Sequence, residues 1–193
     1  MEPLYTDIMV DLETTGTKPA FNGILQLAAV KFNFETQTVG PAFDRCPSLL
    51  PNRFWEDGTR EFWSKNAPVY RSIIARQEPY LEVFQDFSKW VTEDAPSGSY
   101  RFWAKPAQFD WSFLESHYGQ LGLPIPFHYR QQRDLNTFIA ACRSRGAEHV
   151  NMDWVQNEHN GPAHDALSDC VLQLRMLFHA ANGVFHEVIP ADR

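Results

Sequence analysis

The sequence predicts an α/β protein built on a mixed five-stranded sheet with helices on both faces. Apolar residues alternate with polar ones near the start of the chain, as in strands, and later recur at intervals of three and four, as in helices. Strands come first and then alternate with helices, an order typical of mixed sheets. The 193 residues, 44% apolar and 14% aromatic, suit a single domain over residues 1–193.

Strands are predicted where short alternating or apolar runs stop at turn residues. The first run ends at a Thr-Thr-Gly turn, and Gly40-Pro41 inside the third marks a sheet edge. The predicted strands are residues 7–13, 24–34, 38–44, 100–104 and a last one near 127–133.

Helices are predicted where apolar residues share one face. Pro79 suits the first turn of a helix that reaches residue 91, and Asn182-Gly183 ends the last and clearest helix, at 165–182. Residues 46–78 are rich in proline and aromatics, which predicts a surface excursion holding one short helix at 59–66. Two further helices are predicted at 110–121 and 135–143.

Composition excludes several classes of protein. The net charge of −7 argues against a protein that coats nucleic acid by neutralising many phosphates. Cys46, Cys142 and Cys170 are widely spaced, so neither a disulfide framework nor a structural zinc site is indicated. The sequence shows no signal peptide and no long apolar run, and we expect a soluble cytoplasmic protein without membrane contact.

Three short acidic segments carry the chemistry. Asp11 and Glu13 lie two apart on a predicted strand, so their side chains leave the same face. Asp110 follows a strand in the first turn of a helix, and Asp169 projects from the last helix with His164 in the loop before it. Four carboxylates and an imidazole suit two divalent ions, Mg²⁺ or Mn²⁺, with a proton acceptor beside them.

Each acid also has a simpler explanation. Asp11 and Glu13 fit the polar edge of a strand, and Asp110 fits a helix cap. Asp169 fits a solvated helix face, and Asp165 is expected to be an N-cap or first-turn acid with no catalytic role. The joint order and spacing of the segments favour the catalytic interpretation.

The segments together resemble a known superfamily. The strings Asp11-x-Glu13-Thr14-Thr15-Gly16, Phe109-Asp110 and His164-x-Ala166-x-x-Asp169 are similar to the motifs of DnaQ-like exonucleases of the DEDDh subgroup, which have the ribonuclease H-like fold. The resemblance runs over residues 7–176. The strings at 164–170 and 59–63 are similar to the branch of exonuclease VIII-type enzymes and the RNase AS group.

The resemblance implies a metal-dependent 3′-to-5′ exonuclease that releases nucleoside 5′-monophosphates from RNA, DNA or both. It implies that Asp11, Glu13 and Asp169 hold one metal, that Asp11 bridges to a second supported by Asp110, and that His164 takes the proton from the attacking water. Single-stranded or 3′-overhang nucleic acid is the implied partner, and a homodimer is left open. One departure from the motifs is Pro106, where the superfamily usually has asparagine.

Substrate contacts are predicted at two places. Backbone N–H groups in the Thr14-Thr15-Gly16 turn are expected to approach the substrate end, because glycine permits a tight turn. Trp63 is expected either to stack on a terminal base or to belong to the core.

Two other functions stay open at this point. One is a nucleic-acid 3′-end-binding module that keeps the pocket without turnover. The other is a zinc hydrolase that uses His159, His164 and Cys170, although this set leaves the acids unexplained.

Overall fold

The centre of the protein is a six-stranded mixed sheet, seen in a computed structural model that describes residues 4–145 and 152–182. In chain order the strands are β1 (Asp7–Thr14), β2 (Ile24–Asn33), β3 (Thr38–Pro47), β4 (Gln77–Glu78), β5 (Arg101–Ala104) and β6 (Gln132–Asp134). Across the sheet they run β4-β3-β2-β1-β5-β6. β1 and β3 are antiparallel to β2, whereas β5 is parallel to both β1 and β6. The predicted fold class is confirmed, with six strands instead of five.

Helices cover both faces of the sheet, as predicted. They are α1 (Asp57–Lys65), α2 (Ala67–Ala75), α3 (Tyr80–Thr92), α4 (Ala107–Leu121), α5 (Leu135–Ser144), α6 (Met152–Asn157) and α7 (Ala166–Asn182). Within the described parts of the chain, no helix has both the length and the apolar character needed to cross a membrane. The single-domain assignment for residues 1–193 stays a prediction.

The two faces of β1 belong to different cores. Ile8 and Val10 pack with α3 and α4, whereas Met9 packs with α5 and α7. Because side chains alternate along a strand, Asp11 and Glu13 leave β1 on the same face as Met9. The strand therefore directs both acids toward the layer that contains α7.

The placement of the fifth predicted strand, near residues 127–133, was wrong. Phe127 lies in a loop and packs in the core, and Tyr129–Gln131 forms a 3₁₀ turn. Pro124 and Pro126 have no N–H to donate to a sheet ladder, which keeps this segment out of the sheet. As a result β6 is short and begins only after the turn.

Other boundaries differ because tertiary contacts set them. α4 begins at Ala107, three residues before the predicted start, and the Ala107 N–H donates to Asp134 Oδ2 at 2.9 Å. This cap comes from a distant part of the chain and has no local sequence signal. The excursion at 46–78 contains α2 and β4 besides the predicted helix, and the unpredicted α2 buries only Ile73.

Candidate active site

Four carboxylates from three elements line one open cavity at the end of the sheet. Asp11 and Glu13 come from β1, and Asp110 comes from the first turn of α4. Asp169 comes from the first turn of α7. The cavity has a volume of about 320 Å³, and Lys105 also lines it. The structure thus brings together all four acids that the sequence singled out.

The topology explains why these acids meet. β1 and β5 are parallel, so their carboxyl ends lie at the same edge of the sheet. In an open sheet, ligands bind beyond the carboxyl ends of such strands. Asp110 follows the end of β5 by one short loop and is 3% exposed. α7 packs on β1 and β2 and delivers Asp169 to the same edge.

The loop before α7 positions His164. α7 begins at Ala166, so His164 lies outside the helix, as expected, and has a φ of 62°. This left-handed conformation is uncommon outside glycine, which indicates a backbone held by its surroundings. The Asp165 carboxylate caps the helix by accepting from the Ser168 N–H at 3.0 Å. The expected capping role of Asp165 is therefore seen.

A buried glutamine of β2 fixes the start of α7. Gln26 is fully buried, and its Oε1 accepts from the Ala166 N–H at 3.1 Å. Its Nε2 donates to Asp165 Oδ2 at 3.2 Å and to Asp44 Oδ1 at 2.8 Å. Because Gln26 pairs with Glu13 in the β1–β2 ladder, the support for the His164 loop is tied to the strand that carries the acids.

Burial and mutual repulsion raise the pKa values of the carboxyl groups. Burial, followed by repulsion from Asp110, raises the pKa of Asp11 well above its usual range. Burial, followed by repulsion from Asp169, raises the pKa of Glu13 to about 8. Burial raises the pKa of Asp110 to about 8. Burial also raises the pKa of Asp169, and the neighbouring His164 opposes that rise. The cavity therefore concentrates acids without enough positive charge to balance them.

This donor set fits divalent cations. Carboxylate oxygens are the ligands that Mg²⁺ and Mn²⁺ prefer, and a bound cation would reverse the repulsion that raises the pKa values. Ligand atoms of Glu13, His164 and Asp169 all lie within 4.8 Å of one another. The geometry and the electrostatics of the site both indicate metal binding.

Gln173 and Lys105 complete the surroundings, and sequence reasoning missed both. Gln173 Nε2 donates to Asp11 Oδ1 at 2.6 Å and lowers the pKa of Asp11 against the larger effect of burial. Gln173 lies one helical turn after Asp169, and this spacing was the available signal. Lys105 is exposed, and its charge lowers the pKa of Asp169 against the effect of burial. It stands next to Pro106, where the motif departs from the superfamily.

The approach of the Thr14-Thr15-Gly16 backbone to a substrate stays a prediction, and hydrogen bonds within the protein occupy part of this turn. The Thr15 N–H donates to Gly23 O at 2.9 Å, and its hydroxyl donates to Phe54 O at 2.7 Å, so neither is free for a substrate. The Thr14 hydroxyl donates to Gly16 O at 2.7 Å. A Cβ on Gly16 would lie 2.4 Å from Asn22 Oδ1. The glycine is thus required by packing inside the protein.

Trp63 belongs to the core, the second of the two expected roles. It is 2% exposed, and its Nε1 donates to Thr14 O at 3.2 Å. Terminal stacking on this ring is therefore not available. Its neighbour Phe62 is an aromatic residue at the site, with its ring centroid 4.7 Å from that of His164 in an edge-to-face arrangement, and Phe109 also lines the cavity.

The alternative zinc ligands are not assembled. His159 Nε2 hydrogen-bonds the Ser168 hydroxyl at 2.7 Å. The Cys170 thiol is fully buried and donates to the carbonyls of Met9 and Ala28. Among the described residues, the histidine that joins a group able to hold a metal is His164, and its companions are acids.

The order of these acids and the histidine on a mixed sheet of this topology defines a class, the DnaQ-like exonucleases of the DEDDh type. Comparison with protein-family models then gives the family, because residues 6–180 match the 3′-5′ exoribonuclease Rv2179c-like domain. The chain belongs to this family and is a 3′-5′ exonuclease domain. The superfamily predicted from the motifs is confirmed, and the narrower branch stays a prediction.

Solved structures agree with this fold. The crystal structure of cell-death related nuclease 4 (CRN-4) is 20% identical with a TM-score of 0.71, covering 95% of this chain and 66% of that chain. The nuclease domain of 3′hExo, a DEDDh family member bound to rAMP, is 16% identical with a TM-score of 0.65. The match covers 97% of this chain and 98% of that chain. E. coli Exonuclease I with a dA16 oligonucleotide is 17% identical with a TM-score of 0.71. The match covers 91% of this chain and 41% of that chain.

At these identities the likeness establishes the fold alone. The chain spans 66% of CRN-4 and 41% of Exonuclease I. No curated protein sequence matches the chain.

Proposed function

We propose that this domain removes nucleoside 5′-monophosphates one at a time from the 3′ end of single-stranded RNA, with two divalent cations. The observation that carries the proposal is the meeting of Asp11, Glu13, Asp110 and Asp169 in one open cavity beside His164. Their raised pKa values support it, because such a cluster is stabilised by cations. A phosphodiester is an anion and needs the same charge reversal.

RNA is the favoured substrate because the family description names an exoribonuclease. The 3′hExo structure, which holds rAMP, agrees with it. DNA is the second candidate, since the Exonuclease I structures contain dA16 and dT13 oligonucleotides. The choice depends on a contact to the 2′-hydroxyl.

The proposed roles are those that the match to the DEDDh motifs implies, and the positions of the side chains support them. Asp11, Glu13 and Asp169 are assigned to one Mg²⁺ or Mn²⁺ ion, and Asp110 with Asp11 to the second. When bound, such ions lower the pKa of water and stabilise negative charge on a departing oxygen. His164 takes the proton of the attacking water as its oxygen bonds to phosphorus. The bond from phosphorus to the 3′ oxygen breaks, and that oxygen leaves with a proton from solvent.

Two neighbours assist these groups. Phe62 restricts the His164 ring through their edge-to-face contact. Lys105 is exposed at the cavity and supplies a positive charge that attracts the phosphate. Both roles belong to the proposal.

The first experiment uses 5′-labelled single- and double-stranded RNA and DNA with Mg²⁺, Mn²⁺ or chelator. We expect a ladder of products shortened from the 3′ end, strongest with single-stranded RNA, and no product with chelator. Asp11→Ala should abolish the ladder, whereas Glu61→Gln, a control at a side chain of α1 that is 70% exposed, should leave it unchanged. A wild type that binds 3′ ends but is as inert as Asp11→Ala would favour the binding module instead.

The second experiment separates a proton acceptor from a metal ligand at His164. We expect His164→Gln to lower kcat by about 10²–10⁴-fold. The Mn²⁺ concentration at half-maximal activity should stay the same, because imidazole is assigned to the water. A large rise in that concentration would show that His164 holds a cation, as its distance to Glu13 and Asp169 also permits.

A further inference from the structure

A second cavity, of about 330 Å³, opens between α1 and α2 beside the segment that precedes α1. We name it the α1–α2 pocket. Its walls include Trp55, Arg60, Trp63, Tyr70 and Arg71. Among the described residues that line it, none is acidic. In a chain with a net charge of −7, this pocket is a local reversal of charge.

The two guanidinium groups of the pocket are available to an anion. Arg60 lies over the Trp55 ring, with its Cζ 5.4 Å from the ring centroid. Arg71 is exposed on α2. Within residues 4–145 and 152–182, neither forms an ion pair with a carboxylate, in contrast to Arg45 and Arg101. A phosphate between them would gain charge-assisted hydrogen bonds without breaking existing ones.

The aromatic walls suit a nucleobase. Trp55 and Tyr70 meet edge to face, with centroids 5.8 Å apart at 85°, and both are partly exposed. Trp63 forms the buried floor, 5.9 Å from the Tyr70 ring. Aromatic faces bind the bases of single strands by stacking, with little dependence on sequence. The pocket therefore offers aromatic surfaces for the base of a nucleotide and guanidinium groups for its phosphate.

The pocket and the candidate active site lie on neighbouring faces of α1. Arg60, Trp63 and Ser64 are three and four residues apart and share the pocket face. Phe62 lies on a different face and contacts His164. Trp63 also donates to the carbonyl of Thr14, the residue after Glu13. Helix α1 therefore borders both the candidate active site and the pocket.

We propose that the α1–α2 pocket binds a nucleotide of the single-stranded substrate on the 5′ side of the 3′ terminus. Its base stacks on Trp55 and Tyr70, and its phosphate binds Arg60 and Arg71. This inference rests on the proposed function, because the bound strand is the one whose end is hydrolysed. The pocket lies across the width of α1, so it serves oligonucleotides and not dinucleotides.

The test compares a 12-nucleotide single strand with a dinucleotide of the same sugar and base. In Arg60→Ala/Arg71→Ala, the ratio of the KM for the 12-mer to the KM for the dinucleotide should rise about tenfold. The salt dependence of the 12-mer KM should fall by about 1.4 in log–log slope, the value for two phosphate contacts on a single strand. Trp55→Leu should raise the same KM ratio with a smaller change in slope than the arginine variant, since it removes a stacking surface and the ring beneath Arg60 but keeps both charges.

The matched control is Lys65→Ala/Lys89→Ala, which removes the same charge from lysines that are 70% and 77% exposed and ion-paired on α1 and α3. This variant should leave the KM ratio unchanged. An equal rise of the KM ratio in the control would attribute the effect to overall charge and overturn the proposed binding in the pocket. An unchanged KM ratio in the arginine variant would also overturn it.

A binding measurement keeps the two proposals separate. Fluorescence anisotropy of a labelled 12-mer is measured with Ca²⁺ in place of Mg²⁺. If the wild type cleaves neither substrate, the proposed function fails, yet a tenfold weaker Kd in Arg60→Ala/Arg71→Ala alone would still support the pocket. Equal Kd values in wild type, arginine variant and control would overturn it.

Discussion

Glu13→Gln is expected to stabilise the metal-free protein while abolishing its activity. Burial and repulsion from Asp169 raise the pKa of Glu13 from 4.5 to about 8, so the folded state holds a proton that the unfolded state releases. Stability from this group is present below pH 4.5 and is lost as the pH rises toward 8. At pH 8 this loss is about 4 kcal/mol for the wild type. Glu13→Gln avoids the loss but buries a neutral amide, so the variant should be more stable by about 3 kcal/mol.

Thermal unfolding by circular dichroism in chelator measures this effect. For a chain of this length, about 3 kcal/mol corresponds to a rise in Tm of about 6–12 °C at pH 8. At pH 5.5 the difference should shrink to about 0.5 kcal/mol, because wild-type Glu13 is then protonated in the folded state. Saturating Mg²⁺ should reverse the order by stabilising the wild type more than the variant, which lacks one carboxylate ligand.

The control for this prediction is Glu61→Gln, an exposed glutamate of α1 whose replacement should leave Tm nearly unchanged at both pH values. A Glu13→Gln variant no more stable than the wild type at pH 8 in chelator would refute the account of the site. A stabilisation of equal size at pH 5.5 would refute its electrostatic cause.

Three further predictions concern the site and its support. The affinity for Mg²⁺ should rise from pH 6 to 8 and binding should release protons, because burial raises the pKa values of Glu13 and Asp110 to about 8. Calorimetry in buffers of different ionisation enthalpy measures the released protons, and binding without proton release would contradict the prediction. Gln26→Leu should lower the free energy of unfolding in urea by about 1–3 kcal/mol and reduce kcat, since the Ala166 N–H at the start of α7 loses its acceptor. An unchanged kcat would show that the His164 loop does not need this hydrogen bond. Arg101→Met should lower the free energy of unfolding by about 3–5 kcal/mol, because it leaves the fully buried Asp7 without its cation, and a loss below 1 kcal/mol would count against this.

The parts of the site that the sequence predicted depend on local geometry. Asp11 and Glu13 share a face because they lie two apart on a strand, and the structure keeps that strand. His164 lies outside α7 because Asp165 caps the helix, which the acid before the apolar pattern indicated. Local rules of this kind need no knowledge of distant residues.

The parts that could not be predicted depend on contacts between distant segments. Gln26 carries no local signal of its role, because its partners lie 18 and 139 residues away. Trp63 had two interpretations, stacking on a base or packing in the core, and the hydrogen bond from its Nε1 to the Thr14 carbonyl belongs to the second. The start of α4 and the short β6 likewise follow from tertiary caps and from prolines.

The pairing of Glu13 with Gln26 across β1 and β2 has a practical consequence. A slip of one residue between the two strands would leave the acids and the glutamine on opposite faces of the sheet, so that one set would face the apolar layer of α3 and α4. A misregistered hairpin is thus inert as well as unstable. Turnover per milligram therefore reports the natively paired fraction of a preparation, and active-site titration would count correctly folded molecules after refolding or storage.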